Sequence, residues 1–106
     1  MKVMLVMWSD ETYEGGDADE DFAAWMRYEQ SLRVDGVIVE SGRFAEVEHS
    51  RAVVTSISRI PDAEPRPSRT LSGYYLLEVG DLDAATEYAR QAPLYGTVEL
   101  RPLLEY

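Results

Sequence analysis

His49 is the only histidine of the chain, and therefore the only side chain expected to titrate near neutral pH in an ordinary environment. It follows Glu46 and Glu48, whose carboxylates would favour the imidazolium and tune a general acid or base. The alternative is a surface histidine on an acidic loop. One histidine would need several carboxylates beside it to hold zinc, so we expect no metal.

A second group of reactive side chains lies in the proline-rich stretch 59–69, which is locally basic. Its arginines stand beside two acids, Asp62 and Glu64. Guanidinium groups next to a cleft can bind the carboxylate or enolate of a substrate bidentately. We therefore take Asp62 and Glu64 as candidate acid/base groups, and Arg66 together with Arg43 as candidate anion-binding residues. A variable loop in solvent is the alternative.

Aromatic side chains are candidates for the walls of a flat, apolar ligand cavity. Trp8 and Trp25 would bind the substrate, and the phenol of Tyr74 would orient it or exchange a proton with it. Tyr74 and Tyr75 must point to opposite faces of a strand, so at most one of them faces a given cavity. The alternative is that these aromatic side chains fill the hydrophobic core.

Two further groups of charged residues have simple structural interpretations. Glu29 and Arg33 are four residues apart on a predicted helix and should form an ion pair, although a catalytic carboxylate in a cleft is the alternative. The acidic stretch 10–21 could bind a hard cation, but its spacing is not that of an EF-hand loop. No glycine-rich phosphate loop or dinucleotide fingerprint is present, so we expect no cofactor.

The elements that must position these groups are organised around residues 71–92. Residues 73–79 predict a strand, Gly80 a turn and Asp81 a helix N-cap. Small and apolar side chains then recur on one side of the following helix, which favours close packing on a sheet: Leu82, Ala85, Ala89 and Ala92.

The remaining patterns predict strands over 2–8, 36–40, 51–60 and 97–101 and a helix over 18–34. The resulting order, β-α-β-β-β-α-β, predicts a ferredoxin-like α+β sandwich in a single domain, residues 1–106. Because both faces of the first strand are apolar, we expect the helices to cover one face of the sheet and a second copy of the chain to cover the other, giving a homodimer.

Composition excludes several classes of partner. Ten basic and twenty acidic residues give a net charge of −10, which would repel nucleic acid and anionic lipid. The chain has no cysteine, so disulfides and thiol chemistry are excluded. The apolar run near the N-terminus is too short to span a bilayer and lacks a cleavage site, so we expect a cytoplasmic protein.

Three stretches of the chain resemble the YCII-related proteins of the DGPF-domain type: MKVMLVMW, LRVDGVIVE and, most specifically, LSGYYLLEVGDLDAATEYARQAP followed by GTVELRPLLEY. The resemblance implies a dimeric α/β barrel with a cleft between the sheet and the partner. It implies little about the reaction.

The resemblance is incomplete at the residues that carry the family signature. Residues 59–64 correspond to the family's Asp-Gly-Pro-Phe-Ala-Glu, and only Pro61, Ala63 and Glu64 fit. Smaller relatives carry a helix histidine thought to act with an aspartate, and Trp25 takes that histidine's place here. No catalytic pair therefore carries over.

The first functional hypothesis is a cofactor-independent enzyme that performs acid/base chemistry on an organic small molecule, such as an intermediate of secondary metabolism. Isomerisation, dehydration, elimination and cyclisation all fit. The alternatives are a non-catalytic dimer that binds a metabolite or a partner protein in regulation, and a purely structural interaction module.

Overall fold

The computed structural model describes residues 1–11, 18–59 and 64–105. Four strands form one antiparallel sheet in the order β2-β3-β1-β4, and two helices accompany it. The protein is therefore α+β, and this arrangement is compatible with a ferredoxin-like fold. In chain order the elements are β1 (Lys2–Ser9), α1 (Ala18–Val34), β2 (Ile38–Arg43), a 3₁₀ turn (Val47–His49), β3 (Leu71–Glu78), α2 (Leu82–Gln91) and β4 (Gly96–Pro102).

The alternation of side chains along β1 decides which face of the sheet carries the helices. Val3, Leu5 and Met7 are buried and form the centre of the hydrophobic core. The core also contains the buried residues of the two helices, so both helices cover this one face: Tyr28 and Leu32 from α1, and Ala85 and Ala89 from α2. The predicted alanine side of α2 is thus the side that contacts the sheet.

Local signals fix both helices. The carboxylate of Asp81 accepts a hydrogen bond of 2.8 Å from the backbone N–H of Ala84, which caps α2 as predicted. Gly36, at φ 70°, stops α1, because the left-handed conformation that it adopts suits glycine. The helices are joined by the Tyr28 hydroxyl, which donates a 2.8 Å hydrogen bond to the carbonyl of Tyr88.

Two glycines allow neighbouring strands to approach closely. A Cβ added at Gly73 of β3 would lie 2.6 Å from the carbonyl oxygen of Gly42 in β2. A Cβ added at Gly96 of β4 would overlap the carbonyl oxygen of Trp8 in β1. Both strands at the edges of the sheet therefore depend on a residue without a side chain.

The predicted strand over 51–60 is wrong in the part that the structure describes. Residues 51–59 contain no strand, and Val53 and Ile57 are 74% and 87% exposed. Ile60 lies outside the described residues. β-Branched composition favours a strand only where a neighbouring strand is available to pair with it. Here β2 pairs directly with β3, so the order is β-α-β-β-α-β.

The second strand also differs from its prediction in its bounds. It begins at Ile38 rather than Gly36, because the turn at Gly36 still belongs to the end of α1. It continues through Ser41 and Gly42 to Arg43, which the sequence pattern had placed after the strand. Within the described residues, no helix combines the length and the apolar composition that crossing a bilayer requires.

Alanine substitution at Gly73 should lower the free energy of unfolding by about 1–3 kcal/mol, because backbone atoms of β2 must move to admit the methyl group. Gly80→Ala is the matched control, since nothing lies within 4 Å of a Cβ there. It should be neutral or stabilising by up to about 1 kcal/mol through the entropy of the unfolded chain. Urea denaturation measures both. Equal losses in the two variants would contradict the close approach.

Candidate functional site

A cleft of 360 Å³ lies between α1 and the sheet, on the face that carries the helices. We call it the α1–sheet cleft. Phe22, Trp25, Met26 and Glu29 of α1 line one wall, and Ser41, Arg43 and Tyr75 of the strands line the opposite wall. Its volume is within the range of small-molecule sites. Gly42 and Gly73 also line it, and the lack of a side chain at Gly73, which lies on the same side of β3 as Tyr75, leaves space between the helix and the strands.

Three aromatic rings pack together at the cleft, and two of them, Trp25 and Tyr75, form an aromatic surface that lines it. The rings of Trp25 and Tyr75 are stacked, with centroids 6.2 Å apart and planes 7° from parallel. Tyr28 meets both rings edge-on, at 5.8 Å from Trp25 and 5.5 Å from Tyr75. These are the favourable geometries for aromatic pairs. Because the Tyr28 hydroxyl is bonded to α2, the whole cluster is held in place.

The carboxylate of Glu29 lies at the edge of this aromatic surface. The Ser41 hydroxyl donates a 3.1 Å hydrogen bond to its Oε1, and Nη2 of Arg33 lies 3.6 Å from its Oε2. The predicted Glu29–Arg33 ion pair is thus confirmed. The Glu29 side chain is only 27% exposed, and it lines the cleft as well, so the ion pair does not remove this carboxylate from the cleft.

Tyr75 supplies a neutral hydroxyl beside that carboxylate. Burial raises the pKa of the Tyr75 phenol, and the charge of Glu29 raises it further, while the Arg33 and Arg43 guanidinium groups act in the opposite direction. The phenol is therefore protonated at neutral pH and available as a hydrogen-bond donor. Arg43, paired with Gly73 across the sheet, adds the one positive charge among the described lining residues.

Of the residues singled out in the sequence, Trp25 and Arg43 line the cleft. Tyr74 contributes to its wall, but its hydroxyl donates a 2.9 Å hydrogen bond to Glu40. Its ring contacts Phe44. Strand alternation sends the side chains of Tyr74 and Tyr75 to opposite faces, as predicted.

The other sequence candidates lie away from the cleft. His49 ends the exposed 3₁₀ turn, and Glu64 and Arg66 form an exposed ion pair at 3.8 Å. Asp62 lies outside the described residues. Trp8 alternates with the core residues of β1, and its indole N–H is buried with no hydrogen-bond partner in the described part of the chain. The described members of this set are therefore not gathered into one site.

Two residues of the cleft went unnoticed in the sequence. Ser41 had only marked the end of a strand, and Tyr74 had been chosen as a candidate in place of its neighbour Tyr75. The contact between Ser41 and Glu29 spans the connection from α1 to β2, so it depends on where β2 sits in the sheet. The one feature of the sequence that pointed to this cleft was the position of Glu29 on the same side of the helix as Phe22 and Met26.

Neither a metal site nor a known relative indicates what this protein does. No group of three or more histidine, aspartate or glutamate side chains in the described ranges is arranged to hold a metal ion. Comparison with known proteins gave no match, either to a protein-family model or to a curated protein. The function must therefore be argued from the cleft itself.

The aromatic cluster should make the free energy of unfolding decrease as the pH rises through the alkaline range. Burial raises the pKa of Tyr28, and the neighbouring Tyr75 raises it further. The folded pKa thus lies above that of the unfolded chain, about 10. The resulting stabilisation is complete below pH ~10 and is lost above it, by up to about 1.4 kcal/mol per pH unit.

Tyr28→Phe should remove this loss. Denaturant unfolding between pH 9 and 11 should give a shallower decline in the variant than in the wild type. At pH 8 the variant should be about 1 kcal/mol less stable, because its hydrogen bond to Tyr88 is gone. Trp25→Phe alters the same cluster without removing a titrating hydroxyl, so it should keep the wild-type slope. If the free energy of unfolding falls equally steeply with pH in Tyr28→Phe and in the wild type, the raised pKa of Tyr28 is refuted.

Proposed function

We propose that the protein is a small, cofactor-independent enzyme that binds an organic molecule in the α1–sheet cleft and transfers a proton with Glu29. One observation carries the proposal. A partly buried carboxylate is fixed by the Ser41 hydroxyl at the edge of an aromatic surface, next to a phenol that stays protonated. A carboxylate held in this way is suited to act as a general base.

The neighbouring groups fit the second half of such a reaction. When a base removes a proton next to a carbonyl group, negative charge develops on the carbonyl oxygen. The Tyr75 phenol and the Arg43 guanidinium both line the cleft and can stabilise that charge. Isomerisation, dehydration, elimination and cyclisation can all begin with this step. The residues proposed to act are therefore Glu29 as base, and Tyr75 and Arg43 as stabilisers of the oxyanion.

The Glu29–Arg33 ion pair favours a second candidate function. Arg33 lies 3.6 Å from the carboxylate and engages the oxygen that Ser41 does not. In that case the pair would serve only to hold the wall of the cleft, and the protein would bind a metabolite without transforming it. The two candidates share the cleft and differ in whether a bound molecule exchanges a proton.

Deuterium exchange separates the two candidates without knowledge of the natural substrate. Slowly enolising aryl keto acids, such as 2-acetylbenzoate and 3-benzoylpropionate, are incubated with the protein in D₂O and followed by proton NMR. Glu29 should accelerate exchange of the protons next to the ketone. Glu29→Gln should slow this exchange at least about a hundredfold, the contribution typical of a general base.

Glu87→Gln is the matched control, because Glu87 is an exposed helix carboxylate that also pairs with an arginine, Arg90. It should leave the exchange rate unchanged. Exchange at the buffer rate with every probe, or an unchanged rate in Glu29→Gln, would remove the proton-transfer assignment. Binding of a probe without exchange would support the metabolite-binding candidate.

We further propose that the fold is ferredoxin-like and that two copies pair through the sheet face opposite the helices. Met4, Val6 and Leu76 alternate with core residues and so lie on that face, outside the core cluster. Both helices lie on the other face, so these apolar side chains, beside Glu99 and Arg101 of β4, are available for association. The 19 Å shortest dimension of the described chain is that of one sheet with one helix layer.

Val6→Lys, at the centre of that face, should convert a dimer into a monomer, because it would bring a lysine from each copy into the contact, where desolvating the two charges is costly. Analytical ultracentrifugation at micromolar concentration measures the change, and circular dichroism checks that the variant folds. Ile57→Lys, in the exposed stretch without a strand, is the control and should stay dimeric. A monomeric wild type would end this part of the proposal.

A further inference from the structure

The α1–sheet cleft adjoins a second hollow of 430 Å³ near the N-terminal end of α1. Phe22, Trp25 and Arg43 line both spaces, so these three side chains form the boundary between them. Leu94 and Tyr95, which follow α2, contribute to the lining of the second hollow. A molecule bound over the boundary would therefore contact two aromatic rings and one guanidinium group.

Arg43 is the only cation among the described residues that line either space, on a chain of net charge −10. In the described part of the chain it has no ion-pair partner, whereas five other arginines each pair with a carboxylate. Its charge also reaches the Tyr75 phenol, whose pKa it lowers against the effect of burial. Arg43 therefore presents to these spaces a charge that no described residue neutralises in an ion pair, although the carboxylates of Glu29 and Asp21 also line them.

The apolar side chains at the boundary are exposed to an unusual degree for their type. Phe22 is 66% exposed and Met26, one helical turn further along α1, is 52% exposed. The stacked Trp25 and Tyr75 rings continue this surface into the cleft. A flat ring system laid against it would remove apolar area from water at each of these side chains.

We propose that the α1–sheet cleft binds flat aromatic acids, with the ring system against Phe22 and Trp25 and the carboxylate on Arg43. A guanidinium group binds a carboxylate bidentately, which fixes the orientation of the ring as well as its charge. Glu29 lines the same cleft and would accept a hydrogen bond from a hydroxyl substituent of the ring. This inference rests on the cleft being the binding site proposed above, and it is independent of proton transfer by Glu29.

Three probes separate the ring from the charge: 2-naphthoate, its neutral isostere 2-naphthamide, and cyclohexanecarboxylate, which has the charge without a flat ring. Isothermal titration calorimetry at constant ionic strength should give 2-naphthoate a Kd at least tenfold lower than that of either other probe. Arg43→Gln should reduce 2-naphthoate to the level of 2-naphthamide. Phe22→Ala should weaken both naphthalene probes.

Arg90→Gln is the control, because Arg90 is an exposed arginine on α2 that lines neither space. It should bind 2-naphthoate as the wild type does. Equal affinity for 2-naphthoate and 2-naphthamide would overturn the role of the charge, and so would an unchanged affinity in Arg43→Gln. Failure of both naphthalene probes to bind the wild type would overturn the ligand class.

Glu29→Gln distinguishes a failure of this inference from a failure of the proposed reaction. It removes a negative charge from the cleft, so it should bind 2-naphthoate at least as tightly as the wild type does. Suppose that Glu29→Gln leaves deuterium exchange unchanged while Arg43→Gln abolishes the preference for 2-naphthoate. The proposed ligand class is then supported, and the proposed reaction is overturned. If exchange depends on Glu29 but the protein shows no preference for 2-naphthoate, the proposed reaction is supported and the proposed ligand class is overturned.

Discussion

The contact of β2 with β3 at Gly42 and Gly73 is the constraint on which the rest of the site depends. The carbonyl of Gly42 occupies the place where a side chain at residue 73 would begin, and the Tyr74 ring lies 2.6 Å from the place where one would begin at residue 42. The edge strand can reach this position because residue 73 has no side chain to meet the backbone of β2, whereas a side chain at residue 42 would displace the Tyr74 ring. Ser41 and Arg43, on either side of Gly42, are thereby placed opposite α1.

Those two residues give the cleft its polar character. From α1 come the apolar surface and one carboxylate, and from the edge strand come the hydroxyl that holds the carboxylate and the guanidinium that faces the aromatic rings. The helix therefore supplies shape, whereas the edge strand supplies orientation and positive charge. Neither element would form a binding site alone, because each presents only half of what a small polar molecule requires.

The parts of the fold that local chemistry determines were predictable. The helix expected over 18–34 is found at Ala18–Val34, and Asp81 caps α2, because acidic first turns, caps and stop residues act within a few positions. The strand predicted over 51–60 is absent from residues 51–59, the part that the structure describes. The β-branched residues there favour extended backbone, but they do not determine which strand would pair with them. Trp25 and Arg43 were recognised from their types alone. Their grouping with Glu29, Ser41 and Tyr75 was not predictable, because it depends on the register of β2 against β3.

The exposed run Ala52–Ile57 carries a consequence of a different kind. It is uncharged, β-branched and free of proline, and Val53 and Ile57 are in solvent. Segments with this composition promote cross-β aggregation when they are accessible. The sheet also has two edge strands, β2 and β4, to which such a segment from another molecule can hydrogen-bond as an additional strand. We therefore expect aggregation at high concentration to begin in this stretch, and a single charge placed there should reduce it without altering the lining of the α1–sheet cleft.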